Sequence, residues 1–161
     1  MFDSKNELYL KIILIISFTA LIFAYFVEHI LGHQPCNLCI IERIPYGISI
    51  ILIAIIFMIK KNQKFLTLLL ILTFAFSFII SFYHYGIEQG FFDESTVCNA
   101  RNFTESITKE DLLKELSKKT ISCKDVTFRF FGFSLTSINV VLSLLFIITL
   151  IKIFIKYEKN K

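Results

Sequence analysis

Four cysteines are the residues of this chain whose type and spacing could carry chemistry: Cys36, Cys39, Cys98 and Cys123. Cys36 and Cys39 form a C-x-x-C motif that follows Pro35 and opens an apolar stretch. A thiol at a helix start feels the positive end of the helix dipole, which favours the reactive thiolate. Four cysteines allow three pairings. If the C-x-x-C motif is one reactive pair, Cys98 and Cys123 remain as the second, but the sequence does not decide which cysteines are bonded at rest.

Structural roles for the cysteines compete with a redox role. A disulfide between Cys98 and Cys123 would stabilise a long loop, whereas a bond between Cys36 and Cys39 closes too short a loop to constrain the unfolded chain much. Four thiolates could also bind zinc, but the long gap after Cys39 and the lack of a second C-x-x-C motif disfavour this. Haem attachment requires a histidine directly after the motif, and this chain has Ile40 there. We therefore expect no metal.

The composition indicates which elements position these cysteines. The chain has 161 residues, of which 55% are hydrophobic and 19% charged, and its mean hydropathy is +0.69. Soluble domains are about 45–50% apolar and about 25% charged, so a single soluble domain and a disordered chain are both disfavoured. Apolar stretches long enough to span a bilayer cover about 8–31, 40–59, 65–85 and 133–155. Lipid forces such spans to be helical. We predict an all-α membrane protein, with residues 1–161 forming one four-transmembrane-helix bundle.

The lysines predict the orientation of this bundle. They are dense in the head of the chain, in the turn 60–64 and in the tail after residue 151, and four spans place these three segments on one side. The positive-inside rule makes that side cytoplasmic. The two remaining loops, about 32–39 and 86–132, are then extracytoplasmic and hold all four cysteines, as expected where disulfides persist. The net charge of +4 follows from this topology, and we expect no nucleic-acid partner.

Two patterns describe the membrane surfaces. In the loop 86–132, a capping box at 108–111 predicts a short amphipathic helix that lies in the membrane surface or merely covers the loop. Tyrosines occur at or near the predicted span ends, which is typical of an interfacial belt. They are Tyr9, Tyr25, Tyr46, Tyr83, Tyr85 and Tyr157.

Polar residues near the same membrane face could assist the cysteines. Arg43 follows Cys39 by four residues, so both share one helical stripe, and a long side chain there leans back toward the thiols. Its guanidinium could stabilise a thiolate and donate to a carbonyl within the membrane. A headgroup contact of Arg43 and an ion pair with Glu42 remain alternatives. Ionisable residues also end two other spans: Glu28 in the first span, and His84 and Glu88, one turn apart, in the third. They are either ordinary headgroup-level residues or a shared pocket around a membrane electron acceptor.

The run 34–43, QPCNLCIIER, resembles the signature of the DsbB family of disulfide bond formation proteins. The run YHYGIE at 83–88, the loop pair Cys98 and Cys123, and the run GFSL at 132–135 are similar to that family in the same order. The resemblance therefore covers essentially the whole chain. It implies a multi-pass protein of the bacterial inner membrane, with both termini cytoplasmic and its cysteines periplasmic.

The resemblance also implies an activity. Such proteins reoxidise a periplasmic, thioredoxin-fold thiol oxidase of the DsbA type and pass the electrons to a membrane quinone, ubiquinone or menaquinone. By this analogy the partner attacks a Cys98–Cys123 disulfide and becomes bonded to Cys98. Cys123 then attacks Cys36, and Cys39 leaves as a thiolate beside the quinone. The resemblance and the polar residues together place Arg43, His84, Glu88 and Glu28 at the quinone.

Other functions remain possible from the sequence. Vitamin K epoxide reductase relatives also have four spans, but their membrane C-x-x-C motif follows the loop pair, whereas here it precedes the pair. A membrane scaffold with two structural disulfides, or a specialised relative dedicated to one partner, is harder to exclude. A transporter would need polar groups deep in the spans. The fourth span offers Asn139 and several small hydroxyl residues, which we interpret as helix-packing contacts.

Overall fold

The computed structural model describes residues 4–59, 62–94, 98, 122–124, 129–130 and 132–159. The helices of this part of the chain are α1 (Ser4–His29), α2 (Asn37–Ile41), α3 (Arg43–Met58), α4 (Gln63–Glu88) and α5 (Leu135–Lys159). Strands β1 (Arg129–Phe130) and β2 (Phe133–Ser134) form a short antiparallel hairpin that leads into α5. The amphipathic helix predicted at 108–111 and beyond lies outside the described residues.

Four helical segments of the described chain are long and apolar enough to cross a membrane: Lys5–His29, Asn37–Met58, Gln63–Glu88 and Leu135–Tyr157. They pack as a bundle in which α4 and α5 share the largest interface, α3 packs on α1 and α4, and α1 touches α5. Large apolar side chains such as Ile79 and Phe76 remain exposed on the outside. A soluble protein rarely exposes so much apolar surface, so the four-helix membrane bundle predicted from the sequence is confirmed.

The second span is interrupted just after the C-x-x-C motif. Helix α2 ends at Ile41, and α3 begins at Arg43 after Glu42. Pro45 is the third residue of α3 and is buried. Proline has no N–H to offer to Ile41, but the first N–H groups of a helix lack intrahelical partners in any case. The short helix that carries the motif is therefore a separate element. The apolar helical segment of the structure begins at Asn37, and the sequence predicts its start at about residue 40.

Helix α4 ends in a tight reversal that brings the chain back over the bundle. Gly90 has φ +78°, and the N–H groups of Gly90 and Phe91 donate to the carbonyls of Ile87 and Gly86 at 3.0 and 2.8 Å. This pattern is a Schellman cap, which requires a residue in the left-handed region. The ring of Phe92 lies where a side chain on Gly86 would be, only 2.1 Å from an ideal Cβ. The described loop therefore begins packed against the end of α4.

Small polar contacts join the helices along the bundle. Ser49 donates to Ser17 at 3.2 Å, and Ser77 and Ser143 lie 3.1 Å apart. Small hydroxyl residues allow close approach of helices and supply hydrogen bonds within lipid. Tyr157 donates to Gln63 at 3.4 Å, so the end of α5 lies beside the start of α4. The ends of α1 and α4 and the starts of α2 and α5 meet at the opposite end.

Phe74 tests the core of the bundle. It is fully buried, and its ring meets Phe146 edge-on at 4.9 Å between centroids and Tyr46 at 6.1 Å. Phe74→Ala should lower the free energy of unfolding by about 3 kcal/mol, because it leaves a cavity. Phe76→Ala, at a position that is 53% exposed on the same helix, is the matched control and should cost far less. Reversible unfolding in mixed micelles measures both, and equal losses would contradict this packing.

Candidate functional site

The C-x-x-C pair lies at the start of α2. Cys36 is the residue before the helix, and its Sγ accepts a hydrogen bond from the Cys39 N–H at 3.3 Å. The two Sγ atoms are 2.7 Å apart and belong to free thiols. A disulfide has an S–S length of about 2.05 Å, so only a small movement separates the dithiol from the bonded pair. The placement at a helix start agrees with the sequence analysis.

The surroundings of Cys36 favour its thiolate. The hydrogen bond from the Cys39 thiol and the nearby His84 imidazole hold the pKa of Cys36 well below its usual range, although burial acts in the opposite direction. The thiolate is the form that attacks a disulfide and the better leaving group. Cys36 is therefore suited to both halves of a thiol–disulfide exchange.

The loop pair is bonded. Cys98 and Cys123 form a disulfide with a Cα–Cα distance of 5.7 Å. The Glu94 carboxylate holds the segment around Cys123, because it accepts hydrogen bonds from the Ser122 hydroxyl and, at 3.2 Å, from the Lys124 N–H.

Both cysteine pairs belong to one buried cluster. The cluster comprises Cys36, Leu38, Ile87, Cys98 and Cys123, with Cys39 packed against it. Ile87 belongs to α4, so the end of that helix links the loop disulfide to the membrane thiols. The sequence could not give this proximity, because almost 60 residues separate the two pairs in the chain.

Glu42 is the centre of a buried polar network beside the thiols. Its two carboxylate oxygens bind two other helices: His84 Nδ1 of α4 lies 2.8 Å from Oε1, and Asn139 Nδ2 of α5 donates to Oε2 at 2.9 Å. Asn139 also donates to Ser81 at 2.7 Å and accepts from the Tyr46 hydroxyl. Burying a carboxylate is costly unless such partners surround it. The Tyr46 side chain is thus a buried member of this network, and its assignment to the interfacial belt was wrong.

Thr136 joins Glu88 to the same network. Its hydroxyl donates to Glu88 Oε1 at 2.7 Å and lies 3.3 Å from His84 Nδ1. His84 Nε2 is 3.9 Å from Glu88 Oε1 and 3.5 Å from Cys36 Sγ. Oε2 of Glu88 is the buried side-chain polar atom that lacks a hydrogen-bond partner within the described part of the chain. The structure thus brings His84 and Glu88 together next to the thiols.

Arg43 does not point at the thiols as its helical stripe suggested. Its guanidinium forms an ion pair with Glu28 of α1 and lies over the Tyr25 ring, 5.2 Å from the centroid. The ion pair with Glu42, the other alternative, is not formed either. A carboxylate accepts a far stronger hydrogen bond from a guanidinium than a thiol does. Glu28 and Arg43 are therefore partners of each other, and the ion pair turns the guanidinium toward α1 instead of the thiols.

A cavity of about 810 Å³ opens beside these groups. Its polar lining includes Cys36, Cys39, Arg43, His84 and Glu88, while much of its wall is the apolar face of α1. Of the four residues predicted at the quinone, Glu28 is not among those lining the cavity, although it holds Arg43 there. The cavity has the size and the mostly apolar character of ligand sites in proteins.

Comparison with known proteins identifies the family. A family model described as disulfide bond formation protein DsbB matches residues 6–153. The chain belongs to the DsbB family. It is also similar to the uncharacterized protein RP370 of Rickettsia prowazekii (strain Madrid E), with 29% identity over 152 residues, which cover 93% of this chain and 88% of the relative. Membership in the DsbB family makes this a membrane protein of disulfide bond formation and implies a disulfide oxidoreductase.

Sequence reasoning missed several members of this DsbB-family site. Glu42 was considered only as a partner of Arg43, and Asn139 and Thr136 were interpreted as packing residues. A signal was present for Asn139, because an amide within an apolar span is costly unless it finds a polar partner. Which partner it finds depends on helix packing, and the sequence alone did not reveal it.

Asn139 tests the network. Asn139→Ala should lower the free energy of unfolding by about 2 kcal/mol, because it leaves Glu42 Oε2 and the Tyr46 hydroxyl without this partner. Ser137→Ala, two residues earlier on α5, is the matched control, since that hydroxyl bonds only the local Ser134 carbonyl at 2.8 Å. Unfolding in mixed micelles compares the two variants. A loss for Asn139→Ala no larger than that of the control would contradict a structural role for the network.

Proposed function

We propose that this protein reoxidises a DsbA-like, thioredoxin-fold thiol oxidase in the periplasm and passes two electrons to a membrane quinone. The observation that carries the proposal is the pairing of the cysteines: a disulfide in the loop and a dithiol at the edge of a large cavity, packed in one cluster. A relay of thiol–disulfide exchanges requires two such pairs close together, each with sulfurs near enough to bond. The proposal places the protein in the bacterial inner membrane, with both termini cytoplasmic and the cysteines periplasmic.

The relay consists of thiolate attacks on disulfides. With the C-x-x-C pair oxidised, a thiolate of the partner attacks Cys98, and Cys123 leaves. Cys123 attacks Cys36, and Cys39 leaves as a thiolate at the cavity. When the second thiol of the partner attacks the mixed disulfide, the partner is released oxidised and Cys98 rebonds to Cys123, freeing Cys36. Each step forms one S–S bond and breaks another, and the C-x-x-C pair ends up holding the two electrons.

The residues at the cavity suit a quinone. A quinone accepts two electrons and two protons, and it is a flat, largely apolar ring with two carbonyl acceptors. The apolar face of α1 offers a surface for such a ring, and Arg43 offers N–H groups, while His84 also lines the cavity. Glu88 Oε2 is buried without a described partner, and a carboxyl group protonated there would donate to a ligand carbonyl. We propose Arg43, His84 and Glu88 as the quinone-facing residues, and Glu28 as the residue that positions Arg43.

An acceptor of this kind also supplies the driving force. DsbA-type oxidases have reduction potentials of about −120 mV, so ordinary thiol buffers cannot reoxidise them. Ubiquinone and menaquinone are the candidates, and the cavity does not distinguish between them. A structural scaffold remains the second candidate, favoured by the bonded state of Cys98 and Cys123.

Quinone reduction tests the relay. The purified protein, given a reduced DsbA-like donor and a soluble quinone, should turn over. The variants Cys36→Ser, Cys39→Ser, Cys98→Ser and Cys123→Ser should each lose at least about a hundredfold in rate, because no thiolate step can be bypassed. Cys123→Ser should also trap the donor on Cys98.

The control for these variants is Thr149→Ala, whose hydroxyl donates to the Leu145 carbonyl of its own helix at 2.8 Å, and it should keep the wild-type rate. Wild-type protein that neither consumes quinone nor forms a mixed disulfide with several donors would refute the relay and leave the scaffold. If Cys98→Ser or Cys123→Ser kept the wild-type rate, the loop pair would not belong to the relay.

Arg43 is the second test of this proposal. Arg43→Gln should raise the KM for quinone roughly tenfold, since a charged hydrogen bond is worth about 1.5–3 kcal/mol. Arg43→Lys keeps the charge but loses the planar guanidinium, so its KM for quinone should lie between those of the wild type and Arg43→Gln. Steady-state kinetics at varied quinone measures the change. An unchanged KM in Arg43→Gln would place Arg43 outside the acceptor site.

A further inference from the structure

His84 joins the thiol pair to a buried carboxylate. Its Nε2 lies 3.5 Å from Cys36 Sγ, and its Nδ1 lies 2.8 Å from Glu42 Oε1. The ring is 2% exposed, so it cannot exchange these partners for bulk water. A thiol, an imidazole and a carboxylate in this order form the arrangement in which a histidine takes the proton of a nucleophile while the carboxylate orients the ring.

The surrounding hydrogen bonds determine which ring nitrogen carries the proton. The Thr136 hydroxyl has one hydrogen and donates it to Glu88 at 2.7 Å. Toward His84 Nδ1, at 3.3 Å, its oxygen can therefore only accept. The Glu42 carboxylate also accepts there, because a carboxylate has no hydrogen to donate, and its other oxygen accepts from the Asn139 amide. Both neighbours of Nδ1 are thus acceptors, so the single N–H of the neutral ring lies at Nδ1. Nε2 then carries the lone pair and directs it at Cys36.

We propose that His84 is the proton acceptor of the Cys36 thiol, and that Glu42, held in place by Asn139, is the positioning residue that directs Nε2 at the sulfur. The S–H bond breaks, the proton moves to Nε2, and the electron pair stays on the sulfur. Within the proposed function, on which this role in turnover rests, the Cys36 thiolate then bonds to Cys39. As the Cys36–Cys39 bond forms, the two thiols lose two electrons and two protons in total, and the quinone takes up all four. The proton of Cys36 leaves by way of His84.

The charges that face His84 agree with this role. The short helix α2 and the residue before it present the two thiols, the junction before α3 presents Glu42, and α4 itself presents Glu88. From α5, the described contact with His84 is made by the neutral Thr136. The cationic Arg43 is engaged by Glu28 on α1. An imidazolium formed at His84 would therefore lie between carboxylates and a thiolate, with the nearby cation paired elsewhere.

The proton affinity of Cys36 tests this proposal without donor or quinone. In a background with Cys39→Ser, Cys98→Ser and Cys123→Ser, Cys36 is the remaining thiol. Its thiolate is followed by ultraviolet absorbance and by the rate of iodoacetamide alkylation as the pH is varied. Adding His84→Gln should raise the midpoint by about one pH unit, a tenfold change in proton affinity. His29→Gln, an exposed histidine at the end of α1, is the matched control and should leave the midpoint unchanged.

The role of Glu42 is tested by a double-mutant cycle in the same background. Glu42→Gln should raise the midpoint by less than His84→Gln does, and it should add nothing once His84 is already replaced, because it acts through that ring. Equal alkylation rates well above all midpoints would show that each variant keeps a folded, accessible site. His84→Asn serves as the second variant if His84→Gln fails to fold.

Two results would overturn the proposal. A midpoint unmoved by both His84 variants would remove histidine as the proton acceptor. A Glu42→Gln shift that persists in full without His84 would show that Glu42 acts on Cys36 directly. Failure of quinone reduction with these shifts intact would refute only the proposed function, whereas normal turnover with no shift would refute only this inference.

Discussion

A carboxylate buried at the start of an apolar span is the constraint on which the rest of this structure depends. Glu42 is 8% exposed, and an unpaired carboxylate there would cost several kcal/mol. Its oxygens are satisfied by His84 of α4 and Asn139 of α5. The need to satisfy one side chain therefore fixes where three helices meet. Apolar packing alone would determine the relative positions of these helices less strongly, because lipid contacts compete with contacts between helices.

The cysteine pairs take their positions from that junction. Glu42 follows the C-x-x-C motif directly, so the helices that bind Glu42 also fix the short helix that carries the thiols. The end of α4, from His84 to Glu88, faces the same thiols, and the Schellman cap beyond it returns the chain over the bundle. Glu94 then holds the segment of Cys123. Two pairs that are far apart in the chain are thereby packed in one buried cluster.

The charged groups of the site separate into two sets with different partners. Arg43 and Glu28 neutralise each other between α1 and α3 at the rim of the cavity. Glu42, His84 and Glu88 form a chain of proton-binding groups between α3, α4 and α5. A redox site in a membrane has to move protons together with electrons, because uncompensated charge is costly in a medium of low dielectric constant. The second set lies against the thiols, and this set and Arg43 border the cavity.

The sequence by itself determined the four helices, the C-x-x-C motif at a helix start and the family. These features rest on local patterns, namely apolar runs, residue spacing and a contiguous signature. The tertiary structure decided which ionisable groups are partners. It also corrected the roles that the sequence suggested for Arg43, Glu42 and Tyr46. Successive residues of a helix point about 100° apart around its axis, so the adjacent Glu42 and Arg43 face different helices. Their partners, His84 and Glu28, are set by helix packing, which no local pattern in a single chain encodes.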